Sequence, residues 1–230
     1  MFRDLSDKRI DLPSKEFIDT DQIRTWTGDF GREYTDRNAQ SSADLDEFYR
    51  HTYGISRRQL NESFLRLIPK QARILEVGCN MGTQLSLLNE MGYSELYGIE
   101  IQDYALALAQ PRLPDAELRQ ASALSIPFPD QHFDLVFTSG VLIHISPSDL
   151  PKALREIYRC SRCWIWGFEY YSPKSTEICY RGDSNLLWKM DYASEYLRQF
   201  SELELVKDER VAYLDSENVD SMFLLKRVED

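Results

Sequence analysis

The stretch that most constrains the fold is residues 73–82, where a short apolar run ends at two glycines. The run includes Ile74 and Val77, stops at Gly78, and is followed by Gly82 four positions later. The residues after it are amphipathic, with apolar side chains at helical spacing. This order predicts a buried parallel strand, a tight turn that lets the backbone approach a ligand, and a helix whose N-terminus points at that ligand.

A second predicted strand, residues 95–101, carries an acid near its end. This acid is Glu100, and it lies at about the distance downstream, roughly 20 residues, that is expected of a ribose-binding carboxylate. The dinucleotide fingerprint requires two further glycines after Gly78, but Asn80 and Thr83 occupy those positions. The pattern therefore favours a nucleoside cofactor other than NAD or FAD, and an NAD-dependent oxidoreductase is disfavoured.

The rest of the chain alternates between helical and extended patterns, which predicts one α/β domain. Residues 44–68 have helical spacing, with Gly54 dividing them and Ser56 as the N-cap of the second helix. Residues 203–212 and 221–228 predict an antiparallel pair at the sheet edge. We expect a Rossmann-like, mostly parallel sheet with helices on both faces. The patterns between these segments predict helices at 103–110, 150–158 and 191–200, and strands at 116–122, 133–139 and 163–168.

Composition limits the partners that the protein can have. The 230 residues carry 27 basic and 38 acidic side chains, a net charge of −11, and 43% are hydrophobic. An acidic protein binds polyanions poorly, so we expect no nucleic-acid partner and no membrane partner. No apolar run approaches ~20 residues, and the N-terminus is polar, which predicts a cytoplasmic protein. Cys160 and Cys163 form a C-x-x-C pair without a second pair, so no metal site is expected.

The N-terminal region is too rich in aromatic residues to be a linker. Trp26, Phe30, Tyr34 and Arg37 lie close together in it. One interpretation is an arm that Trp26 and Phe30 pin to the domain, and the other is a lid whose Tyr34 and Arg37 reach the ligand. We expect residues 1–70 to form this arm and its helices, within the same domain as a core at residues 71–230.

Three stretches resemble the successive motifs of class I S-adenosylmethionine (SAM)-dependent methyltransferases: residues 75–82, 98–101 and 127–136. The resemblance implies a seven-stranded sheet with an antiparallel last strand and an N-terminal helical lid. A narrower resemblance, to the methyltransferases associated with pseudaminic acid biosynthesis, spans nearly the whole chain and implies a bacterial surface-sugar context. It is carried by residues 26–31, 140–145, 169–171, 180–182 and 187–189.

The class I resemblance assigns roles in binding SAM. Glu76 would lie near the methionine amine, Glu100 would accept the ribose hydroxyls, and Ile101 would pack on the adenine. Glu76 could instead only order the loop, and Glu100 could be a surface acid. The remaining cofactor residues are those of the loop, the adenine edge and the end of the fourth strand: Gly78, Asn80, Gly82, Ser122, Ala123 and Ser139.

Two residues are candidates for proton transfer from the acceptor. His144 follows the fourth strand and Glu169 the fifth, at the same sheet edge, so Glu169 could orient the imidazole as a general base. Alternatively, His144 packs and bonds only to the backbone. Two arginines among aromatics would suit a carboxylated sugar. The predicted acceptor pocket comprises Tyr34, Arg37, Tyr170, Tyr171, Tyr180 and Arg181, whereas Trp188 fits the core slightly better.

The sequence therefore predicts a SAM-dependent methyltransferase with S-adenosylhomocysteine as product. Its acceptor would be an O or N position of a small polar molecule, such as a nonulosonic-acid surface sugar or its nucleotide-activated form. The alternative is a SAM-binding regulatory or partner subunit without its own turnover. Acidity and the lack of an Asn/Asp-Pro-Pro-aromatic motif after the fourth strand disfavour a nucleic-acid methyltransferase. The sequence does not distinguish a monomer from a homodimer.

Overall fold

The computed structural model describes residues 20–38 and 40–228, so the first nineteen residues of the predicted arm lie outside the described residues. The helices are α1 (Asp21–Thr27), α2 (Asp29–Arg37), α3 (Ser42–Tyr53), α4 (Arg57–Phe64), α5 (Thr83–Glu90), α6 (Asp103–Ala109), α7 (Leu150–Cys160) and α8 (Tyr192–Gln199). Short 3-10 helices span Leu65–Leu67 and Leu142–His144. The strands are β1 (Ile74–Val77), β2 (Leu96–Glu100), β3 (Glu117–Gln120), β4 (Phe133–Ser139), β5 (Ser161–Tyr170), β6 (Thr176–Glu177), β7 (Trp188–Lys189), β8 (Leu203–Ala212) and β9 (Val219–Arg227).

The main sheet has seven strands in the order β3-β2-β1-β4-β5-β9-β8. Strands β1 to β5 pair in parallel, whereas β9 is antiparallel to both of its neighbours. This confirms the predicted mostly parallel sheet with an antiparallel last strand. The predicted C-terminal pair forms as β8 and β9, with β8 at the edge and β9 inserted against β5.

Helices cover both faces of the sheet, as predicted. Successive residues of a strand point to opposite faces, so Ile74 belongs to one core and Leu75 to the other. Side chains of α3, α4 and α5 fill the first core, and those of α7 and α8 fill the second. Phe223 of β9 packs directly over Gly167, where an added Cβ would lie 2.2 Å from the Phe223 Cζ. A glycine in β5 therefore makes room for a large ring in the second core.

Local end signals set the boundary between α3 and α4 where the sequence predicts it. Gly54 ends α3 in the left-handed conformation, with φ of 75°. Ser56 caps α4, and its hydroxyl and the Gln59 side chain form a reciprocal capping box. The two helices then place Tyr49 and Phe64 in the core beside β1 and β4.

The segment after β5 does not continue the strand–helix alternation. It forms the small antiparallel hairpin β6–β7, and Trp188 at its end is 5% exposed, which confirms the core placement of this residue. Within residues 20–38 and 40–228, no helix is long and apolar enough to cross a membrane.

Candidate functional site

A cavity of about 740 Å³ opens at the carboxyl ends of β1, β2, β3 and β4. This volume lies within the range of small-molecule sites, roughly 300–1,000 Å³. β1 and β4 are neighbours at the point where the strand order reverses, which is where open α/β sheets bind their ligands. The loops after these strands form the floor, and residues of α1 to α4 form the opposite wall.

The loop between β1 and α5 is built for close approach of the backbone. Gly78, Asn80 and Gly82 have positive φ of 74°, 47° and 74°. A Cβ on Gly78 would lie 2.6 Å from the Val141 Cγ2, so only glycine fits against the β4 loop. Gly78 and Asn80 line the cavity, but Gly82 does not, since it packs against Leu113. Gly82 turns the chain into α5, and its assignment to the cofactor site stays a prediction.

Glu100 is held by backbone amides at the end of β2. Its Oε2 accepts from the Asn80 amide at 2.9 Å, and its Oε1 accepts from the amides of Ile101 and Gln102 at 2.8 and 3.1 Å. Burial raises the pKa of Glu100, and these amides counter the rise. A carboxylate has about four lone-pair sites, so it keeps capacity for a ligand hydroxyl. The carboxylate lines the cavity and is buried, so Glu100 is not a surface acid.

Glu76 lies on the cavity floor with an unused acceptor. Its carboxylate interacts with the Leu85 amide, whereas Oε2 is buried without a hydrogen-bond partner among the described residues. Burial raises the pKa of Glu76 well above its ordinary value, and the nearby Arg57 opposes that rise. Buried polar atoms are rarely left unpaired in a native protein, so this oxygen marks a place for a donor group of a ligand.

Arg57, the first residue of α4, was not identified from the sequence as a site residue. Its side chain lines the cavity and is almost completely buried, and its Cζ lies 4.7 Å from the ring centroid of Phe168. Its guanidinium donates to the Tyr49 hydroxyl at 2.6 Å and to the Asn61 Oδ1 at 3.0 Å. When the Gln84 side-chain amide is assigned with its oxygen facing Arg57, that oxygen accepts from the guanidinium at 2.5 Å.

These acceptors are uncharged, so the buried cation of Arg57 is solvated by dipoles and rings rather than by a bonded carboxylate. The helical pattern contained a signal for this residue. Arg57, Leu60, Asn61 and Phe64 share the buried face of α4, and a charge on such a face is expensive unless it serves a ligand or a partner.

The far end of the cavity is aromatic and contains His144. Its Nδ1 lies 2.8 Å from the Leu186 carbonyl oxygen, which makes Nδ1 the protonated nitrogen. Burial lowers the pKa of His144 to about 4, so the ring is neutral near pH 7 and its lone pair is on Nε2. The ring centroids of Trp26 and Tyr34 lie 4.3 and 6.1 Å from that of the imidazole.

Glu169 does not orient the imidazole, so this part of the predicted catalytic pair is corrected. Its carboxylate accepts from the backbone amides of Val141 and Ile143 at 3.2 and 3.4 Å, and burial raises its pKa to about 7. Glu169 therefore supports the loop that carries His144. The Leu186 carbonyl orients the ring instead, as in the alternative in which His144 bonds to the backbone.

The predicted acceptor residues are only partly brought together. Tyr34 and Arg37 line the cavity, and burial raises the pKa of Tyr34. The wall does not include the other four predicted residues, so the grip by two arginines does not form. The reason is the β6–β7 hairpin, which leaves Arg181 exposed and places the Tyr180 ring behind His144, 5.7 Å away. Tyr170 and Tyr171 instead lie beneath the cations of Lys189 and Arg210.

The remaining predicted cofactor residues lie on the cavity wall: Ile101, Ser122, Ala123 and Ser139. The Ser122 hydroxyl oxygen accepts from the Leu124 amide at 3.1 Å, which fixes the turn after β3. In the part of the chain that the structure describes, no cluster of three or more His, Cys, Asp and Glu side chains is placed to hold a metal ion.

Comparison with known proteins finds similarity to methyltransferases. Residues 75–162 match the model of a family described as a methyltransferase domain. An uncharacterized methyltransferase of Schizosaccharomyces pombe is 30% identical over 110 residues, which cover 43% of this chain and 39% of that protein. That protein and two further curated relatives, at 30–31% identity, are each matched over less than half of their own length.

Several solved structures have a fold similar to that of this chain. The Burkholderia thailandensis 1,6-didemethyltoxoflavin-N1-methyltransferase, solved with its substrate and S-adenosylhomocysteine, has a TM-score of 0.61 at 15% identity, over 90% of this chain and 86% of that one. The [4+2]-cyclase SpnF also has a TM-score of 0.61, at 14% identity, over 75% of this chain and 81% of that one. The chain is therefore similar to a methyltransferase domain over residues 75–162, and its fold is one that methyltransferases of known structure share.

Proposed function

We propose that this protein is a SAM-dependent methyltransferase that acts on an O or N position of a small-molecule acceptor. The observation that carries the proposal is that Glu76, Arg57 and Glu100 line the same cavity, with Arg57 near enough to Glu76 to oppose the rise of its pKa. An ammonium, a carboxylate and a pair of ribose hydroxyls are the polar groups of SAM and of S-adenosylhomocysteine. Each of the three side chains suits one of these groups.

The amino-acid end of the cofactor fits Glu76 and Arg57. An ammonium donates to the unpaired Oε2 of Glu76 and removes the cost of leaving that oxygen unpaired. A carboxylate accepts from the buried guanidinium of Arg57, whose present acceptors are uncharged. Burial that is costly for each charge alone becomes favourable when a zwitterion pairs both.

The nucleoside end fits the wall formed by the ends of β2 and β3. Glu100 is fixed by three amides and retains a lone pair for a ribose hydroxyl. Ile101 and Ala123 supply apolar surface for a purine, and the Ser122 hydroxyl lies beside them on the wall.

SAM, when bound, supplies a methyl group activated by its sulfonium. The chain's own residues then have two tasks, which are alignment and removal of a proton. The neutral His144 offers the lone pair of Nε2 to an acceptor hydroxyl and would take its proton as the oxygen is methylated. The methyl–sulfur bond of SAM would break in the same step and leave S-adenosylhomocysteine. Trp26 and Tyr34 cover this end and exclude water.

The finer class of acceptor has unequal support. The proposal of a bacterial surface sugar of the nonulosonic-acid type depends on the sequence resemblance. Of the two arginines expected to grip its carboxylate, Arg37 lines the cavity, and it pairs with Glu33 at 3.6 Å. Aromatic walls and a neutral imidazole suit a ring with an ionisable hydroxyl or amine as well as they suit a sugar.

A second candidate is a cofactor-binding protein that performs no methyl transfer. The observation that favours it is the similarity to SpnF, a [4+2]-cyclase, because one fold supports more than one reaction. As a regulatory or partner subunit, the chain would bind SAM without turnover.

Calorimetry with SAM and S-adenosylhomocysteine tests the cofactor, with 5′-methylthioadenosine as a matched ligand that lacks the amino-acid end. We expect S-adenosylhomocysteine to bind and the truncated ligand to bind more weakly, because it cannot reach Glu76 and Arg57. Absence of binding at several hundred micromolar would contradict the proposal. SAM is then incubated with the protein and small-molecule extracts of the source organism, and mass spectrometry follows the products for a gain of about 14 daltons. Binding without any transfer would favour the second candidate.

A further inference from the structure

A directional chain of hydrogen bonds joins α2 to the loop after β1. The Asn80 Nδ2 donates to the Thr35 Oγ1 at 3.0 Å, and the Thr35 hydroxyl donates to the Gln102 Oε1 at 3.2 Å. The Gln102 Nε2 in turn donates to the Trp26 carbonyl oxygen at 2.9 Å. Thr35 is 1% exposed and Gln102 5%, so loss of one link leaves buried polar groups unpaired.

A glycine lets the two helices α1 and α2, here termed the cap (residues 21–38), approach this chain of bonds. A Cβ on Gly31 would lie 1.9 Å from the Trp26 carbonyl oxygen and 2.4 Å from the Gln102 Nε2. Any larger residue would separate the cap from Gln102. Gly31 of α2 therefore packs directly against the hydrogen bond that the Gln102 side chain donates to the Trp26 carbonyl oxygen.

The same chain of bonds ends on the carboxylate assigned to the ribose. The backbone amides of Asn80 and Gln102 donate to the two oxygens of Glu100. The hydroxyl of Thr35 therefore connects the two residues that flank Glu100 in space. The cap also carries Trp26 and Tyr34, the rings that cover the acceptor end of the cavity.

We propose that Thr35 is a positioning residue that couples cofactor binding to docking of the cap. The proposal rests on the proposed function, because it takes Glu100 as the ribose site. Cofactor bound to Glu100 and to the loop of Asn80 stabilises Asn80 and Gln102, the two hydrogen-bond partners of Thr35. Thr35 in turn stabilises the docked position of the cap. The cap wall of the acceptor site is therefore completed on bound cofactor, and the cofactor binds before the acceptor. By reciprocity, the docked cap strengthens cofactor binding by the same factor.

Hydrogen exchange of the cap amides in the full chain, with and without S-adenosylhomocysteine, tests the coupling. We expect the ligand to slow exchange at residues 21–38 in the wild type and in Thr35→Ser, which keeps the hydroxyl. Thr35→Val keeps the shape but leaves two buried partners unpaired. At saturating ligand, Thr35→Val should reduce the ratio of cap-amide protection in the bound protein to that in the free protein. The same variant should bind the ligand about tenfold more weakly.

Tyr104→Phe is the matched control, because Tyr104 also holds the cap but not through Glu100. Its hydroxyl donates to the Asp36 Oδ1 at 2.7 Å. Loss of this bond should speed cap exchange equally with and without ligand, so the protection ratio should stay unchanged. Should Thr35→Val fail to fold, Gln102→Met breaks the chain at the next residue and takes its place.

Three results would be decisive. An unchanged protection ratio in the variant would overturn the coupling, as would ligand binding to the wild type without any protection of the cap. Failure of the wild type to bind S-adenosylhomocysteine would instead contradict the proposed function itself.

Discussion

The two ends of the cavity are built in different ways. At the cofactor end, Glu100 is fixed by amides of the loops that directly follow β1 and β2. At the acceptor end, Trp26, Tyr34 and His144 come from α1, α2 and the loop after β4, and Leu186 from the hairpin supplies the carbonyl that orients the imidazole. The difference teaches that an end held by neighbouring backbone is fixed by local sequence, whereas an end held by distant side chains depends on the whole fold.

Replacement of His144 should have the largest effect and should separate the two ends of the cavity. In His144→Asn, the side-chain amide can still donate to Leu186, but Nε2 is lost. If the acceptor is a hydroxyl, we expect transfer to fall by roughly 10²–10⁴-fold, while the affinity for S-adenosylhomocysteine changes less than about twofold. Steady-state rates and calorimetry measure the two effects. A large loss of cofactor affinity would show that His144 also supports the cofactor end, and near-normal transfer would indicate an amine or carboxylate acceptor.

Glu100→Ala should weaken S-adenosylhomocysteine binding by about 3 kcal/mol, or more than a hundredfold. The change removes the ribose acceptor and leaves the amides of Asn80, Ile101 and Gln102 without their partner. Calorimetry measures the affinity, and Glu95→Ala is the control, because Glu95 is an exposed acid immediately before the first residue of the same strand. Equal affinity in the two variants would remove Glu100 from the cofactor end.

Glu169 should make the acceptor end sensitive to pH through stability. Its pKa of about 7 in the folded protein lies above the ordinary value of 4.5, so the folded state holds the extra proton in this window. The contribution of Glu169 to stability is therefore complete below pH 4.5 and is lost as the pH rises through 7. Relative to Glu169→Gln, the wild type should lose about 3 kcal/mol of unfolding free energy across that window, as measured by urea unfolding. A pH-independent difference between the two proteins would contradict the assigned pKa.

Arg57→Met should have the smallest effect of the four and should depend on the ligand. We expect S-adenosylhomocysteine binding to weaken by about 2 kcal/mol, roughly thirtyfold, because the carboxylate loses its charged donor. Binding of 5′-methylthioadenosine should not change. Arg181→Ala is the control, because Arg181 is exposed and outside the cavity wall, and it should leave both affinities unchanged. An equal loss for both ligands in Arg57→Met would place Arg57 in general packing rather than at the amino-acid end.

Much of the fold and one end of the cavity could be predicted from the sequence. The glycines at 78 and 82, the acid at 100 and the apolar runs predicted strand, turn and strand end correctly, because positive φ and period-two burial are properties of a few consecutive residues. The end of α3 at Gly54 and the N-cap of α4 at Ser56 were predicted correctly for the same reason.

Errors occurred where side chains distant in the sequence compete for the same partner. Glu169 was predicted to orient the imidazole of His144, but backbone amides of the loop after β4 donate to both of its oxygens. Arg181 was predicted to face the acceptor, but the hairpin turns it to solvent. Arg57 was not predicted at all, since a single charge on a helix face does not reveal which cavity that face will line.

The sequence by itself determined a seven-stranded α/β fold with a nucleoside-type turn after β1, because burial periodicity and glycine geometry are local. Only the tertiary structure decided that Arg57 and Glu76 line the same cavity, that a carbonyl rather than a carboxylate orients His144, and that Thr35 links the cap to Asn80. Each of these contacts joins segments far apart in the chain. Their geometry is fixed by how helices and hairpin pack on the sheet, which no short stretch of sequence specifies.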